Sequence, residues 1–417
     1  MSEKVIIIGS GPAGLAAAVS LARREIRPLI LERLNRPAQK LLASGGGRCN
    51  FSNALSPEGF MREFGRNGAF MRNALRAYPR EKLLDLLHSE KVRTERSDGF
   101  HYFPASGKAG DVADAFLRAS NAEVRTDSAV IAIEMKDGAV TGVELKNGER
   151  LAANAVILAA GGCAWSGLGT DAGMKLAERL GHTIVKPLPA MAPLIVQEEW
   201  VGRLAGVTLP DARLTLRSGR DTLTTEGSLL FTHDGFSGFP ALDLAGEASA
   251  LCDRNGTSEL SVKFRTDMDA AAWEKVFETA RRDSGSKLIR SVLHEYLPRS
   301  LSETAAELCG CSEAKAANLS AEAGRDLIRF LAGCRLTLLG AGPMDRAMAM
   351  CGGVSLKEVD PATLSSRKVR GLYFAGEILD LTGPCGGYNM QWAFSSGFSA
   401  GDAAALFLQT ETGKETI

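Results

Sequence analysis

Residues 5–8 read Val-Ile-Ile-Ile, four apolar β-branched positions closed off by Gly9. A short run without polar alternation suits a strand covered on both faces. Good helix formers fill Leu15 to Arg24, and "PLILE" (28–32) returns to an apolar strand ending in Glu32. The buried-strand pattern recurs in "AVILAAGG" (155–162), expected to be parallel and central, and in "GLYFAGEILD" (371–380). Between Glu123 and Leu158 apolar and polar positions alternate, with Asp137-Gly138 and Asn147-Gly148 as hairpin dipeptides. That pattern predicts a small antiparallel meander.

The period changes twice more. Three prolines in "KPLPAMAPLIV" (186–196) mark an exit from the first domain, and the segments to about 266, such as "ARLTLRS" and "ELSVKF", favour strands. From Asp269 to about Gly333 the spacing turns helical, and "MAMCGGVSLKEVD" leads back to the strand at 371. The expected organisation is a discontinuous first domain, residues 1–193 and 340–417. It is interrupted by a β-rich insert, 194–267, and a helical insert, 268–339. Clefts between such domains are common ligand sites.

Composition narrows the partners. The 417 residues carry 49 Lys+Arg and 49 Asp+Glu, so the net charge is zero. That removes the simplest argument for nucleic acid or an anionic membrane as partner. No apolar run reaches the roughly 20 residues of a spanning helix, and the expectation is a soluble, cytoplasmic protein. The eight cysteines are scattered without a CxxC pair, so no metal site is indicated.

The chemistry starts at Gly9, Gly11 and Gly14, which form G-x-G-x-x-G between strand and helix. The glycines allow a tight turn, close approach of a pyrophosphate and close helix–strand packing. The helix N-terminus then faces the negative charge, and Glu32 is placed to accept from an adenosine ribose. At the other end, an acid follows Gly376 and a glycine-rich loop, Thr382 to Gly387, precedes a helix from about Tyr388. Together the two ends make the pattern of FAD-binding two-dinucleotide-type folds. There Glu377 sits by the ribityl chain and pyrophosphate, and the loop N–H groups meet the flavin ring, where a helix N-terminus stabilises the charge gained on reduction. The bland alternative is that "GPCGGYNMQWAFSSG" is only a structural turn capping a helix. The expected fold class is α/β, a discontinuous Rossmann-like FAD domain carrying a β-rich plus helical cap.

The chain also resembles the bacterial YhiN/BaiN-type flavoprotein family of NAD(P)/FAD-dependent oxidoreductases, and more distantly the fumarate reductase flavoproteins. The resemblance lies in "GSGPAGLAAA" (9–18), "SGGGRCNFSN" (44–53), "FPASGKAGDVADAF" (103–116), "AAGGCAWSGLGTDAGMKLAERLGH" (159–182), "GSLLFTHDGFSGFPAL" (227–242) and "GLYFAGEILDLTGPCGGYNMQWAFSSG" (371–397). It implies that Gly9, Gly11, Pro12, Ala13 and Gly14 cradle the pyrophosphate, with Glu32 on the ribose and Val130 clamping the adenine through its backbone. Gly45, Gly46, Gly47, Arg48, Cys49 and Asn50 would lie along the ribityl chain and flavin. Gly376, Glu377, Gly386, Gly387, Tyr388, Asn389 and Met390 would close the flavin site. Ser10, Arg33, Lys40, Ala160, Gly161 and Asp380 complete the expected cofactor-binding set.

Residues for substrate chemistry are less clearly marked. Arg48 is a candidate for an anion contact, Tyr388 for a donor near the ring and His233, in "LLFTHDGFSG", for substrate or flavin against a turn-stabilising role. His101, in the aromatic loop "GFHYFPASG", could contact the cap or cofactor. No histidine adjoins "SGGGRCN", so FAD is expected to be non-covalent. The stretch 167–181 has glycines but no acid about 20 residues on, so NAD(P)H is expected only as a transient donor. The leading expectation is a hydride-transferring oxidoreductase acting on a small unsaturated organic substrate, without a nucleic-acid or membrane partner and with the number of subunits left open. The alternatives are an RNA-modifying flavoprotein, which needs a basic face, and a non-catalytic flavin-binding redox sensor.

Overall fold

The computed structural model describes residues 4–218 and 221–412. The chain divides into two compact units, one running to Pro187 and resuming at Ala349, the other spanning Leu188–Met348.

The first unit is built on a five-stranded parallel sheet. Its order is Leu372–Phe374, Ala155–Leu158, Val5–Ile8, Leu29–Leu31 and Glu123–Arg125. Ile7 lies between Ile157 and Ile30 in register. Apart from the half-buried Leu29, the three central apolar runs are buried, as their lack of alternation requires, and each buried Val, Ile or Leu side chain gains about 1.5–3 kcal/mol. The alternating segment forms the antiparallel meander Val130–Lys136, Ala139–Leu145 and Arg150–Ala152.

The first helix, Pro12–Ala22, packs lengthwise on the C-terminal helix, Tyr388–Thr412. Small residues set that approach. A Cβ on Gly397 would stand 2.1 Å from the carbonyl oxygen of Ala13, and one on Gly401 would stand 2.5 Å from that of Ala17. The loop before the first helix and the loop before the last therefore belong to one rigid pair.

The second unit is a closed six-stranded barrel with helices. Its strands follow the order Leu194–Val196, Gly235–Ser237, Asp221–Phe231, Thr208–Ser218, Ser258–Lys263 and Cys334–Ala341. Leu194 pairs with Ala341 to close the ring. Phe231, Phe236 and Phe264 are buried and in ring contact, in one hydrophobic cluster that also takes in Trp273, Leu301 and Leu327 of the helices.

Candidate active site

The site is assembled at the ends of the parallel strands of the first unit. Gly9 follows the first strand at φ +102°, and a Cβ there would lie 2.5 Å from the carbonyl oxygen of Ala159. A Cβ on Gly14 would come within 1.9 Å of the carbonyl oxygen of Gly9, so helix and turn touch only because both are glycine. At Gly11 nothing lies within 4 Å of the Cβ position, and the helix that follows has no side-chain cap. Its first-turn N–H groups have no carbonyl four residues back to bond. The result is an open cradle of donors that fits a pyrophosphate.

Glu32 closes the cradle from the second strand. One carboxylate oxygen accepts from the Ser10 N–H at 3.0 Å and its hydroxyl at 2.5 Å, and the other accepts from the Leu34 N–H at 2.8 Å. A carboxylate has further lone pairs for a ribose hydroxyl. Arg33 donates to the carbonyls of Leu168 and Gly169, which ties the strand end to that loop. The Ser128 N–H donates to the Glu32 carbonyl at 2.8 Å, which brings the start of the strand carrying Val130 to the same edge.

A second cluster forms around Glu377. Its carboxylate accepts from Lys40 Nζ at 2.7 Å, from the Gly162 N–H at 3.1 Å and from the Met350 N–H at 3.2 Å. Gly161 lies against the same carboxylate, with its Cβ position 3.8 Å from Oε2, and its neighbour Ala160 packs at the Cβ position of Gly173. Gly376 donates its N–H to Ser396 of the C-terminal helix. Asp380 is bonded by the Gly352 N–H, and burial pushes its carboxyl above the usual range against that bond and the nearby charge of Arg66.

The 44–53 and 382–390 loops meet beside this cluster. Gly45, Gly46 and Gly47 all adopt left-handed φ, as does Cys49 at +60°. Burial pushes the Cys49 thiol up to about 12, so it is a packing residue and not a thiolate at neutral pH. Asn50, with its amide turned to satisfy its neighbours, donates to the Ser52 carbonyl and accepts from the Gly387 N–H. Asn53 donates to the Gly386 carbonyl at 2.9 Å. Gly387 has φ +82°, and a Cβ there would fall 2.6 Å from the Ser52 carbonyl oxygen. Asn389 pins the loop by accepting from the Gly383 N–H and donating to its carbonyl. Met390 follows in the first turn of the same helix.

The candidate chemical residues fall in different settings. The Arg48 guanidinium is exposed and lies over the Phe103 ring, 4.6 Å from its centroid. The Tyr388 ring is buried against Phe60 and Phe64. His233 is exposed in the second unit, in the turn between Asp221–Phe231 and Gly235–Ser237. The aromatic shelf of Phe60 and Phe64 has no counterpart among the expected site residues. Only the lack of a side chain at Gly383 hints at it, since a Cβ there would sit 2.6 Å from the Phe64 ring. Among the described residues no group of three or more His, Cys, Asp or Glu could hold a metal ion, and no helix is long and apolar enough to cross a membrane.

A parallel sheet with a glycine cradle at one end and an acid-anchored glycine loop at the other defines a Rossmann-type flavoprotein oxidoreductase. The chain belongs to the family described as HI0933-like protein Rossmann domain, whose model matches residues 3–403. It is 32% identical over 411 residues to the 3-dehydro-bile acid delta(4,6)-reductase of Clostridium scindens, covering 97% of this chain and 99% of that protein. It is 28% identical over 403 residues to the ribosomal RNA dihydrouridine synthase of Escherichia coli, covering 94% and 96%. Among solved structures it shares its fold with Escherichia coli quinol fumarate reductase FrdA (TM-score 0.51, 17% identity, 98% of this chain and 71% of that one). It also shares its fold with the 3-ketosteroid-delta4-(5alpha)-dehydrogenase of Rhodococcus jostii RHA1 (TM-score 0.50, 15% identity, 96% of each chain).

Proposed function

We propose that the chain is an FAD-dependent reductase that adds hydrogen across a ring carbon–carbon double bond conjugated to a carbonyl. The observation that carries this reading is the pair of prepared ends, the uncapped helix with open space at Gly11 and the Lys40–Glu377 cluster beside the Gly386-Gly387 turn. FAD, held without a covalent bond, supplies a hydride when reduced. The chain binds and orients. N–H groups after Gly11 take the pyrophosphate, Glu32 takes a ribose hydroxyl and the main chain at Val130 lies along the adenine. The loops at 45–50 and 386–390 hold the ring, and Arg48 contacts an anionic group of cofactor or substrate.

The substrate class follows from chemistry common to two relatives. A 3-oxo-4,6-diene and a uracil ring both hold a C=C conjugated to a carbonyl, which polarises the β-carbon to accept hydride. A small ring enone is the substrate proposed here, with NAD(P)H as a donor that docks transiently, in the cytoplasm. The test is an anaerobic titration of the purified protein with NADH and NADPH. An absorbance band at about 450 nm that one nucleotide bleaches is expected of such a flavoprotein. A protein that takes up no FAD contradicts the reading.

A second reading, reduction of uridine in RNA, is favoured by one observation. Arg62, Arg66, Arg72 and Arg76 are exposed along a segment that also carries exposed Glu58 and Glu63 and the buried Phe60 and Phe64. The segment packs at Gly383 and Tyr388 through Phe64 and Phe60, and its excess of exposed arginine over glutamate, despite the zero net charge, is what a phosphate backbone would need. Binding of protein-free ribosomal RNA whose affinity falls with salt, by roughly one unit of log–log slope per phosphate contact, would support it. Binding equally weak at all salt concentrations would count against it.

A further inference from the structure

Of the candidate proton donors, the Tyr388 ring is packed against Phe60 and Phe64 and His233 lies in the second unit, whereas His101 stands against the glycine loop at Gly386. Strand His101–Pro104 pairs antiparallel with Ser52–Asn53, directly after the 44–50 loop, with Asn53 opposite His101. Asn53 in turn donates to the Gly386 carbonyl. This register brings the His101 ring onto the 382–387 loop from 285 residues away in sequence. A Cβ on Gly386 would stand 3.0 Å from His101 Nε2. Gly386 is therefore the residue that leaves room for the imidazole.

The other ring nitrogen is spoken for. His101 Nδ1 lies 2.8 Å from Asp98 Oδ2, while Asp98 Oδ1 accepts the N–H groups of Phe100 and His101 at 3.1 and 3.0 Å. The bonds from the His101 main chain and ring hold the Asp98 carboxyl below its usual range, so it stays an acceptor. The Phe100 ring meets the imidazole edge-on at 4.9 Å between centroids. Asp98 and Phe100 thus fix the ring plane and which nitrogen faces Gly386, the arrangement that orients a histidine for proton transfer. The His101 side chain keeps 24% of its surface exposed, which gives it a route to solvent protons.

We propose that His101, positioned by Asp98, is the proton donor of the double-bond reduction. The proposal rests on the enone-reductase reading above. The substrate β-carbon receives a hydride, two electrons and one hydrogen, from the reduced flavin, and the C=C π electrons move to the α-carbon and carbonyl. The His101 Nε2–H bond then breaks and its proton goes to the α-carbon. The ring is left neutral and regains a proton from water. Bound FAD would supply that hydride and be left oxidised, and NAD(P)H or another two-electron donor would reduce it again. His101 touches the reacting atom, and Asp98 acts through His101.

The test uses the full chain loaded with FAD, with cyclohex-2-enone and 4-androstene-3,17-dione as probes. In a single anaerobic turnover, His101→Gln should slow reoxidation of pre-reduced flavin by the enone about 10²–10⁴-fold, the usual range for one acid–base group. His101→Lys, which keeps a proton on a long side chain, should recover part of that rate, and Asp98→Asn should fall between wild type and His101→Gln. Flavin content and visible spectrum report that each variant has folded. A readout independent of turnover is acylation of His101 by diethyl pyrocarbonate, mapped by mass spectrometry. Cyclohexanone, which cannot be reduced at carbon–carbon, should protect His101 in the wild type. A His101→Gln rate equal to wild type, or no protection, overturns the proposal while leaving the reductase reading intact. A wild-type flavin that neither enone reoxidises removes that reading and the proposal with it.

Discussion

Replacing Glu377 by Gln tests the anchor on which the proposed flavin site depends. The carboxylate accepts from three donors, Lys40 Nζ and the N–H groups of Gly162 and Met350. Those donors come from three separate stretches of the first unit, so the residue ties together parts that sequence keeps far apart. Glutamine keeps one acceptor oxygen and turns an amide NH₂ toward a donor. One bond is lost outright and the others lose charge assistance. Hydrogen bonds to a charged acceptor contribute about 1.5–3 kcal/mol each against about 0.5–1.5 for neutral ones. The side chains of Lys40 and Glu377 keep 22% and 23% exposure, so solvent screens part of the sum. About 2–4 kcal/mol remains. At roughly 2–4 °C per kcal/mol for a unit of this size, the Tm should fall by about 5–15 °C. The assay is thermal unfolding of apo and FAD-loaded protein, followed by FAD titration through fluorescence quenching. FAD affinity should drop by up to about 10²-fold, the equivalent of some 2.7 kcal/mol. A variant that melts within about 1 °C of wild type and binds FAD equally well would refute the anchoring role.

Three further outcomes follow from single contacts. Gly397→Ala puts a methyl 2.1 Å from the Ala13 carbonyl oxygen. Parting the first and last helices should cost about 1–3 kcal/mol, read as a lower denaturant midpoint together with weaker FAD binding. Glu358 is bound by Thr183 and Lys368, and although burial raises its carboxyl, these hydrogen bonds lower it further, to about 2. A carboxyl lowered on folding contributes stability above its unfolded value, lost as pH falls toward the folded one. Glu358→Gln should therefore melt lower than wild type at pH 7, and the gap should close as pH falls from about 4.5 to about 2. Cys49, fully buried with its thiol pushed up to about 12, should resist iodoacetamide at pH 8 in the native protein and react on unfolding. Rapid native alkylation at Cys49 would contradict its packing role.

Local pattern made part of this architecture legible. Four β-branched residues before Gly9 and the acid at the end of "PLILE" are contiguous signals, and they form adjacent parallel strands with Glu32 bonded to Ser10. The two hairpin dipeptides likewise mark the meander. What sequence could not show is pairing at long range. Lys40 and Glu377 each stood out, but the bond between them spans 337 positions. The barrel closes by joining Leu194 to Ala341, a contact that no periodicity encodes. His101 was expected to contact the cap or cofactor, but its partner surface could not be read, because Gly386 is supplied by a distant loop and is defined by a missing side chain. The local excess of arginine at 62–76 was hidden in a net charge of zero because charge balance is a sum over the whole surface. Strand and turn chemistry is local, whereas active-site geometry depends on which loops the sheet brings together.

Hydride transfer from bound FAD to a carbonyl-conjugated double bond is the reaction proposed for this chain. Its most direct test is anaerobic stopped-flow mixing of pre-reduced holoprotein with 4-androstene-3,17-dione or cyclohex-2-enone, followed at the flavin band. Full return of oxidised flavin, with one saturated ketone formed per flavin, is expected. Flavin that stays reduced against both enones, yet reoxidises at once when oxygen is admitted, would contradict it.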